Sequence, residues 1–345
     1  MKAVFELGLY TFGDLTPDAQ TGKAISAQQR LNEILAAAKL ADASGLDVFA
    51  VGEHHRLDMA VSATAVVLAA IAAMTQRIHL ASAVTILSTA DPVTVFEDFA
   101  TVDLISGGRA EIIAGRGIFI ESFPLFGYDL ADYDALFAEK LELLMKLNAA
   151  ERVTWEGRFR PALYDVPIPP RPAQSRLPIW IGTGGTQGSI ERAGALGLPL
   201  ALANISLPPT KLAPMTDLYR RAGTQAGHNA SDLKVSLATH MYIRENSQDA
   251  LNEFYPYYAA YFLTHTPSQY RAQQITRADY DGRASQHGAI FVGSPQQIID
   301  KIMYERELFN HQRFLAQIDI GGLPFANVAR VIELFATKVA PVVCR

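Results

Sequence analysis

The sequence has little cysteine and no long uninterrupted hydrophobic segment. Its single cysteine, Cys344, cannot form an internal disulfide, which fits a reducing compartment. The longest apolar run, residues 60–74, is interrupted by Ser62 and Thr64 and is too short to span a bilayer. The first residues carry no signal-peptide pattern. We therefore expect a soluble, cytoplasmic protein that does not enter a membrane.

Several functional motifs are also missing. No run of lysine or arginine occurs and the net charge is -5, so nucleic acid and anionic membrane surfaces are poor candidate partners. No His-Glu-x-x-His motif is present, and the adjacent His54 and His55 would point to opposite faces of a strand end. No Gly-x-Ser-x-Gly elbow occurs. We expect neither a metal site nor a serine or cysteine nucleophile.

What the sequence does contain is an alternation of strand and helix patterns along its whole length. Eight apolar segments of strand type occur, and each is followed by a helical pattern: residues 4–11, 46–51, 78–87, 110–114, 177–181, 198–203, 233–243 and 314–320. This α/β pattern predicts a (β/α)8 TIM barrel, a fold of ~250 residues that tolerates long insertions. We expect one domain over residues 1–345, with insertions at the carboxyl-end face near residues 151–173 and 255–290. An open, doubly wound sheet is the alternative.

The second predicted strand ends in four ionisable residues, Glu53-His54-His55-Arg56. Four consecutive ionisable residues are not expected inside an apolar core, so these residues should lie just beyond the carboxyl end of the strand. In α/β proteins ligands bind and chemistry takes place at that end. The stretch therefore indicates an active site.

Two further strand ends carry anion-binding features. Residues 182–189, after the fifth strand, read GTGGTQGS and precede a helix, so backbone N–H groups and the hydroxyls of Thr186 and Ser189 would converge on a phosphate. The turn is neither a Walker A sequence nor a dinucleotide fingerprint, which favours a mononucleotide. Arg116 stands between two glycines after the fourth strand, where its guanidinium suits phosphate or a flavin edge. In the third strand the hydroxyl of Ser82 needs a partner, either ligand or backbone.

Taken together, these motifs resemble the bacterial luciferase-like flavin monooxygenases. The resemblance rests on Glu53-His54-His55, on residues 78–92, and on Gly115-Arg116-Gly117 with Phe123 and Phe126-Gly127 downstream. It continues in the glycine-rich turn, in Gly197-Leu198-Pro199 and in Gly293-Ser294-Pro295. It covers residues 4 to about 204 and resumes at residue 293.

The resemblance implies a TIM barrel that binds reduced FMN at the carboxyl-end face. By position His54 would be the catalytic imidazole, with Glu53 beside it, more as an orienting than a reacting group. Ser82 and Ala83 would underlie the isoalloxazine, with a non-prolyl cis peptide between them. A phosphate site would combine residues of two strand ends: Arg116, Gly184, Gly185, Thr186 and Ser189.

The family chemistry implied is reaction of reduced FMN with O2 to a C4a-hydroperoxyflavin that oxygenates a small organic substrate. A dry pocket is required, for which residues 255–289 are the expected lid and Phe12, Phe119 and Phe123 the expected walls. A separate flavin reductase would supply reduced FMN, and the family commonly forms homodimers. The alternatives are an F420-dependent hydride-transfer enzyme of the same fold, a non-catalytic flavin-binding relative and an unrelated TIM-barrel hydrolase. The sequence does not identify the substrate.

Overall fold

The structure is a computed structural model that describes residues 5–266 and 275–344. Its main sheet is a barrel of parallel strands. In chain order the strands are β1 Glu6–Thr11, β2 Val48–Val51, β3 His79–Ser82, β4 Thr85–Ile86, β5 Ala110–Gly115, β6 Arg152–Trp155, β7 Leu163–Pro167, β8 Ile179–Thr183, β9 Leu200–Ala203, β10 Val235–Ile243, β11 Phe291–Gly293 and β12 Arg313–Gln317. Eight of them, β1, β2, β3, β5, β8, β9, β10 and β12, pair in that order, and β12 pairs back with β1. The ring is closed, which confirms the predicted TIM barrel and rules out the open sheet.

Helices surround the barrel. They are α1 Ala27–Ala43, α2 Thr64–Met74, α3 Pro92–Ser106, α4 Ser122–Leu125, α5 Tyr133–Ala149, α6 Gln187–Ala195, α7 Pro209–Gln225, α8 Ser247–His265, α9 Arg277–Ala284, α10 Pro295–Phe309, α11 Phe325–Leu334 and α12 Ala340–Val343. Local sequence fixes several of their starts: Asp91 accepts N–H bonds from Val93 and Thr94 at the start of α3, with Pro92 in the first turn. None of the helices in the described ranges combines the length and apolar character needed to cross a membrane.

The predicted third strand, residues 78–87, is broken in two. β3 ends at Ser82 and β4 begins at Thr85, with a non-prolyl cis peptide bond between Ala83 and Val84. The expected position between Ser82 and Ala83 is therefore wrong by one residue. Ala83 and Val84 are therefore the two residues of this segment that lie outside the regular strand pairing.

The two expected insertions differ in structure. Residues 151–173 contain an antiparallel hairpin, β6 and β7. Residue 255 lies inside α8, so the segment 255–266 continues that helix, and residues 275–290 include α9. The part of the expected lid at residues 267–274 lies outside the described residues.

Two apolar cores hold the fold together. The larger lies between the barrel and its helices, and a smaller one fills the barrel interior: Tyr10, Val48, Ala50, Ala81, Ile113, Trp180 and Leu315. At the amino end of the barrel Arg313 donates two hydrogen bonds to Glu111, at 2.7 and 3.1 Å, and one to Glu6 at 2.7 Å. Glu111 thus lies at the amino end, and this end is closed by paired charges. The opposite opening, at the carboxyl ends of the strands, is called the carboxyl-end mouth below.

Candidate active site

One half of the carboxyl-end mouth is lined by very small residues. Val84 points into the barrel, and a Cβ added at Gly115 or Gly182 would approach its γ-carbons to 2.6 or 2.4 Å. Ala83 and Val84 pack against the interior core yet remain partly exposed. These glycines therefore leave room for Val84, and the open surface above it can receive a flat ligand.

His54 lies at the edge of this surface, between two aromatic rings. Its ring centroid is 4.6 Å from that of Phe12 and 5.4 Å from that of Phe119, and the residue is 9% exposed. Burial, reinforced by the nearby His265 and Arg56, lowers the pKa of His54 to about 4. Its Nδ1 is buried without a hydrogen-bond partner among residues 5–266 and 275–344. His54 is thus a neutral imidazole with a free ring nitrogen.

Glu53 has both carboxylate oxygens occupied. Oε1 lies 2.8 Å from Nε2 of His55, and Oε2 accepts the backbone N–H of Ile86 at 2.9 Å. The His55 ring in turn packs edge-on against Phe126 at 4.9 Å. Glu53 therefore joins the loop after β2 to β4, a geometry that positions the loop that carries His54.

Arg116 is held in place by α5. Its guanidinium pairs with Asp134 and lies 4.9 Å above the ring of Tyr133, and its side chain is 15% exposed. The Tyr133 hydroxyl donates to the backbone oxygen of Gly117 at 2.7 Å. Tyr133 thus fixes both the backbone turn and the side chain that the sequence predicted as a phosphate contact.

The glycine-rich turn joins β8 to α6. Thr183 Oγ1 accepts the N–H groups of Gly185 and Thr186, both at 3.2 Å, which folds the turn back on the strand. A Cβ at Gly184 would meet nothing within 4 Å, so this side of the turn faces open space. The first N–H groups of α6 have no carbonyl within their own helix. The Ser189 residue is buried in the first turn of α6, so its hydroxyl lies below the surface.

These segments meet at one opening. β5 and β8 are neighbours, with Ala114 opposite Ile181, so Arg116 and the glycine-rich turn emerge side by side. Phe119, three residues after Arg116, contacts His54 from β2. All three strand ends lie at the carboxyl end of one closed barrel, which is the arrangement predicted from the sequence.

Comparison with known proteins identifies the family. A family model for luciferase-like monooxygenases matches residues 6–312. The chain belongs to this family. The family predicted from the sequence is therefore confirmed, and the chain is a luciferase-like oxidoreductase.

Solved structures agree with this assignment. The monooxygenase RslO1 from Streptomyces bottropensis aligns with a TM-score of 0.84 at 26% identity, over 97% of this chain and 99% of that one. The FMN-bound oxygenating constituent of 3,6-diketocamphane monooxygenase from Pseudomonas putida, a type II Baeyer–Villiger monooxygenase, aligns at 0.77 with 19% identity, over 99% of both chains. The F420-dependent tetrahydromethanopterin reductase from Methanopyrus kandleri aligns at 0.73 with 18% identity, over 98% of this chain and 99% of that one. The last two likenesses show the shared fold.

The Ser82 hydroxyl of this luciferase-like chain is engaged within the sheet. It donates to the Ile113 oxygen at 3.1 Å and accepts the Ile113 N–H at 3.0 Å, and Ser82 is fully buried. The hydroxyl therefore joins β3 to β5. The residues of this strand that are open to the mouth are Ala83 and Val84.

Two polar groups of the luciferase-like chain were missed by sequence reasoning. The first is a buried cluster in which His265 Nε2 lies 2.8 Å from Asp14 Oδ1 and Nδ1 lies 3.2 Å from Asp58 Oδ2. It joins α8 to the loops after β1 and β2, and no local motif marks it. The second lies inside the barrel on β10 and β12, where His240 and Gln317 stand opposite each other. Polar residues at inward positions of apolar strands are a usable signal for such a group. In the described ranges no three His, Cys, Asp or Glu side chains are grouped to hold a metal ion.

Proposed function

We propose that this protein is an FMN-dependent monooxygenase that uses reduced FMN and O2 on a small organic substrate. The observation that carries the proposal is the meeting of His54, Arg116 and the glycine-rich turn around a surface of small residues at one mouth. A mononucleotide cofactor with a flat ring and a phosphate has the two ends that this surface and these groups would bind.

The residues fit FMN in two parts. Arg116 and the turn residues Gly184, Gly185 and Thr186 would hold the phosphate, with Ser189 behind them in α6. The small surface formed by Ala83 and Val84 would receive the ring. Reduced FMN, when bound, activates O2 for transfer of one oxygen atom to an organic substrate.

The protein's own contribution is to exclude water and to manage a proton. Phe12 and Phe119 enclose His54, so the reacting region would be apolar. Neutral His54 has one ring nitrogen that accepts a hydrogen bond and one that donates, so it could relay a proton without itself remaining charged. Glu53 and His55 would keep its loop in position.

The test is a titration of purified protein with oxidised FMN, reduced FMN and reduced F420, followed by exposure to O2. We expect reduced FMN to bind and to be reoxidised with a rate that depends on His54. His54→Asn should retain FMN affinity and lose oxygenation in favour of hydrogen peroxide release. Tight F420 binding without O2 consumption would favour the hydride-transfer alternative, and flavin binding without any turnover would favour a non-catalytic relative.

A separate flavin reductase would supply the reduced cofactor, since the sequence has no second nucleotide fingerprint. Oxygenation that depends on an added reductase and NADH, with free reduced FMN substituting for both, would support this role. We likewise propose that the protein is cytoplasmic.

We also propose a homodimer through α2 and α3. Val66 and Met74 on α2 and Leu104 and Ile105 on α3 are apolar and exposed, and the two helices pack side by side. Light scattering after size exclusion should give twice the chain mass, and Val66→Lys should give the monomer. A monomeric wild-type protein would contradict this.

A further inference from the structure

An inner polar cluster lies in the half of the barrel opposite the surface formed by Ala83 and Val84. It consists of Tyr10, His240, Gln317 and Tyr261. Tyr10 and His240 both stand opposite Gln317 in the strand register, so the three side chains occupy one layer of the barrel interior. Tyr261 of α8 covers them, with its ring 5.5 Å from that of His240. All four residues are buried.

The hydrogen-bonding capacity of this cluster is only weakly used. Burial is the main cause of the pKa shifts of His240 and Tyr261, and weak hydrogen bonds with the Gln317 amide act on the pKa of each in the opposite direction. Yet Gln317 Nε2, Gln317 Oε1 and His240 Nδ1 are buried with no well-formed hydrogen bond to any described residue. A buried polar group without a partner is destabilising, so native structures seldom keep three in one layer unless something else binds them.

The cluster is next to the proposed reaction site. The Tyr10 ring contacts Phe12 at 5.4 Å, and Phe12 contacts His54 at 4.6 Å. Ala238, two residues before His240, and its register partner Ala203 are both at least partly exposed, so open space reaches β9 and β10 in the layer next to His240. The Tyr10 ring, which stands opposite Gln317 in the strand register, is separated from His54 by the single ring of Phe12.

We propose that Gln317 and His240 form the substrate-recognition site, and that it takes a neutral aromatic or alicyclic compound with a carbonyl or hydroxyl group. This inference rests on the proposed function for the identity of the reaction. The amide of Gln317 offers both a donor and an acceptor, which suits either group. The ligand's polar atom would satisfy the unpaired atoms while its rings pack against Tyr10, Phe12 and Tyr261.

Charge argues against an anionic substrate. Burial and the neighbouring Arg283 lower the pKa of His240 to about 3, so its ring is neutral near pH 7. Arg283 itself donates to the Tyr258 hydroxyl at 3.0 Å. The nearby carboxylates Asp14 and Asp319 are each engaged, by His265 and by Thr11. None of the four side chains of the cluster is therefore a cation that could pair with a carboxylate or sulfonate.

The test uses three probes of similar shape with FMN-loaded protein: 1-tetralone, tetralin, which lacks the oxygen, and the anion 1-naphthoate. Ligand-observed NMR titration should show tetralone binding about tenfold more tightly than tetralin, and naphthoate more weakly than tetralone. Gln317→Met, which keeps the side-chain length, should remove the preference for tetralone. Gln296→Met, on the exposed face of α10, is the matched control and should keep it.

The outcomes separate this proposal from the proposed function. Equal binding of tetralone and tetralin, preference for naphthoate, an unchanged preference in Gln317→Met, or no binding of any probe would each overturn the recognition site. Loss of FMN binding with a retained preference for tetralone would instead contradict the FMN-dependent reaction alone. As a second readout, Gln317→Met should raise the thermal midpoint of the ligand-free protein, because it removes unpaired polar atoms; a lower midpoint would mean that the amide is already used structurally.

Discussion

The substitution Gly182→Ala, which adds a single methyl group, tests whether a glycine is needed at the carboxyl-end mouth to leave space for Val84. The added Cβ would lie 2.4 Å from Val84 Cγ1 and 3.1 Å from Ile113 Cγ2, closer than side chains normally pack. Gly182 does not have the left-handed backbone conformation that disfavours other residues, so the effect of Gly182→Ala is steric. Overpacking of this kind costs ~1–3 kcal/mol, and we expect a loss of about 2 kcal/mol in the free energy of unfolding.

The assay is a double-mutant cycle in urea denaturation, with Val84→Ala as the second change. Val84→Ala removes the γ-carbons that the new methyl group would meet, so Gly182→Ala should be nearly neutral in that background. FMN affinity should follow the same pattern, because a displaced Val84 would intrude on the surface proposed for the ring. Gly282→Ala, on α9 where a Cβ meets nothing within 4 Å, is the control and should not destabilise. Equal losses with and without Val84→Ala would refute the reasoning.

Three further outcomes follow from pairing and burial. Burial depresses the pKa of His54 to about 4 and of His240 to about 3, whereas both histidines of the unfolded chain take up protons near pH 6.5. The free energy of unfolding, measured by urea denaturation, should therefore fall between about pH 6.5 and pH 4, by about 3 kcal/mol for each histidine. A flat pH profile would contradict this. Tyr133→Phe should weaken FMN binding by roughly fivefold, the effect of one hydrogen bond. Binding of riboflavin, which lacks the phosphate, should not change. Equal losses of affinity for FMN and riboflavin would exclude a role of Tyr133 in holding Arg116. Glu111→Gln, at the amino end, should cost ~3 kcal/mol in calorimetry because the buried Arg313 loses one of its two carboxylate partners and keeps only Glu6, while FMN affinity stays unchanged.

The barrel could be predicted because its signals are local. Residues 48–51 are apolar on both faces and stop at Gly52, and the next residues are ionisable, so both the strand and its functional end are visible in one short stretch. Arg116 and the glycine-rich turn follow the same rule. Parallel strands in a closed barrel bring their carboxyl ends together, so three local observations sufficed to place three groups at one mouth.

The position of the strand break could not be read in the same way. Residues 80–87 have no charge or glycine that would mark a break. Val84 turns inward because Gly115 and Gly182 leave space for it, and both come from other strands. The Asp14–His265 pair likewise joins residues 251 positions apart. Such long-range complementarity leaves no trace in the local pattern.

The four ionisable residues after β2 acquire distinct roles through their partners. Glu53 is bound by His55 and by the backbone of β4, and the guanidinium of Arg56 is held by Asp58 and Glu121, each within 2.8 Å. Asp58, the carboxylate that would favour a charged His54, is also shared with His265. Among His54, His55 and Arg56, His54 is therefore the one without a hydrogen bond to a carboxylate of the described residues. Pairing its neighbours while burying His54 between aromatic rings keeps that imidazole neutral, and its free nitrogen stays available to a ligand at the mouth.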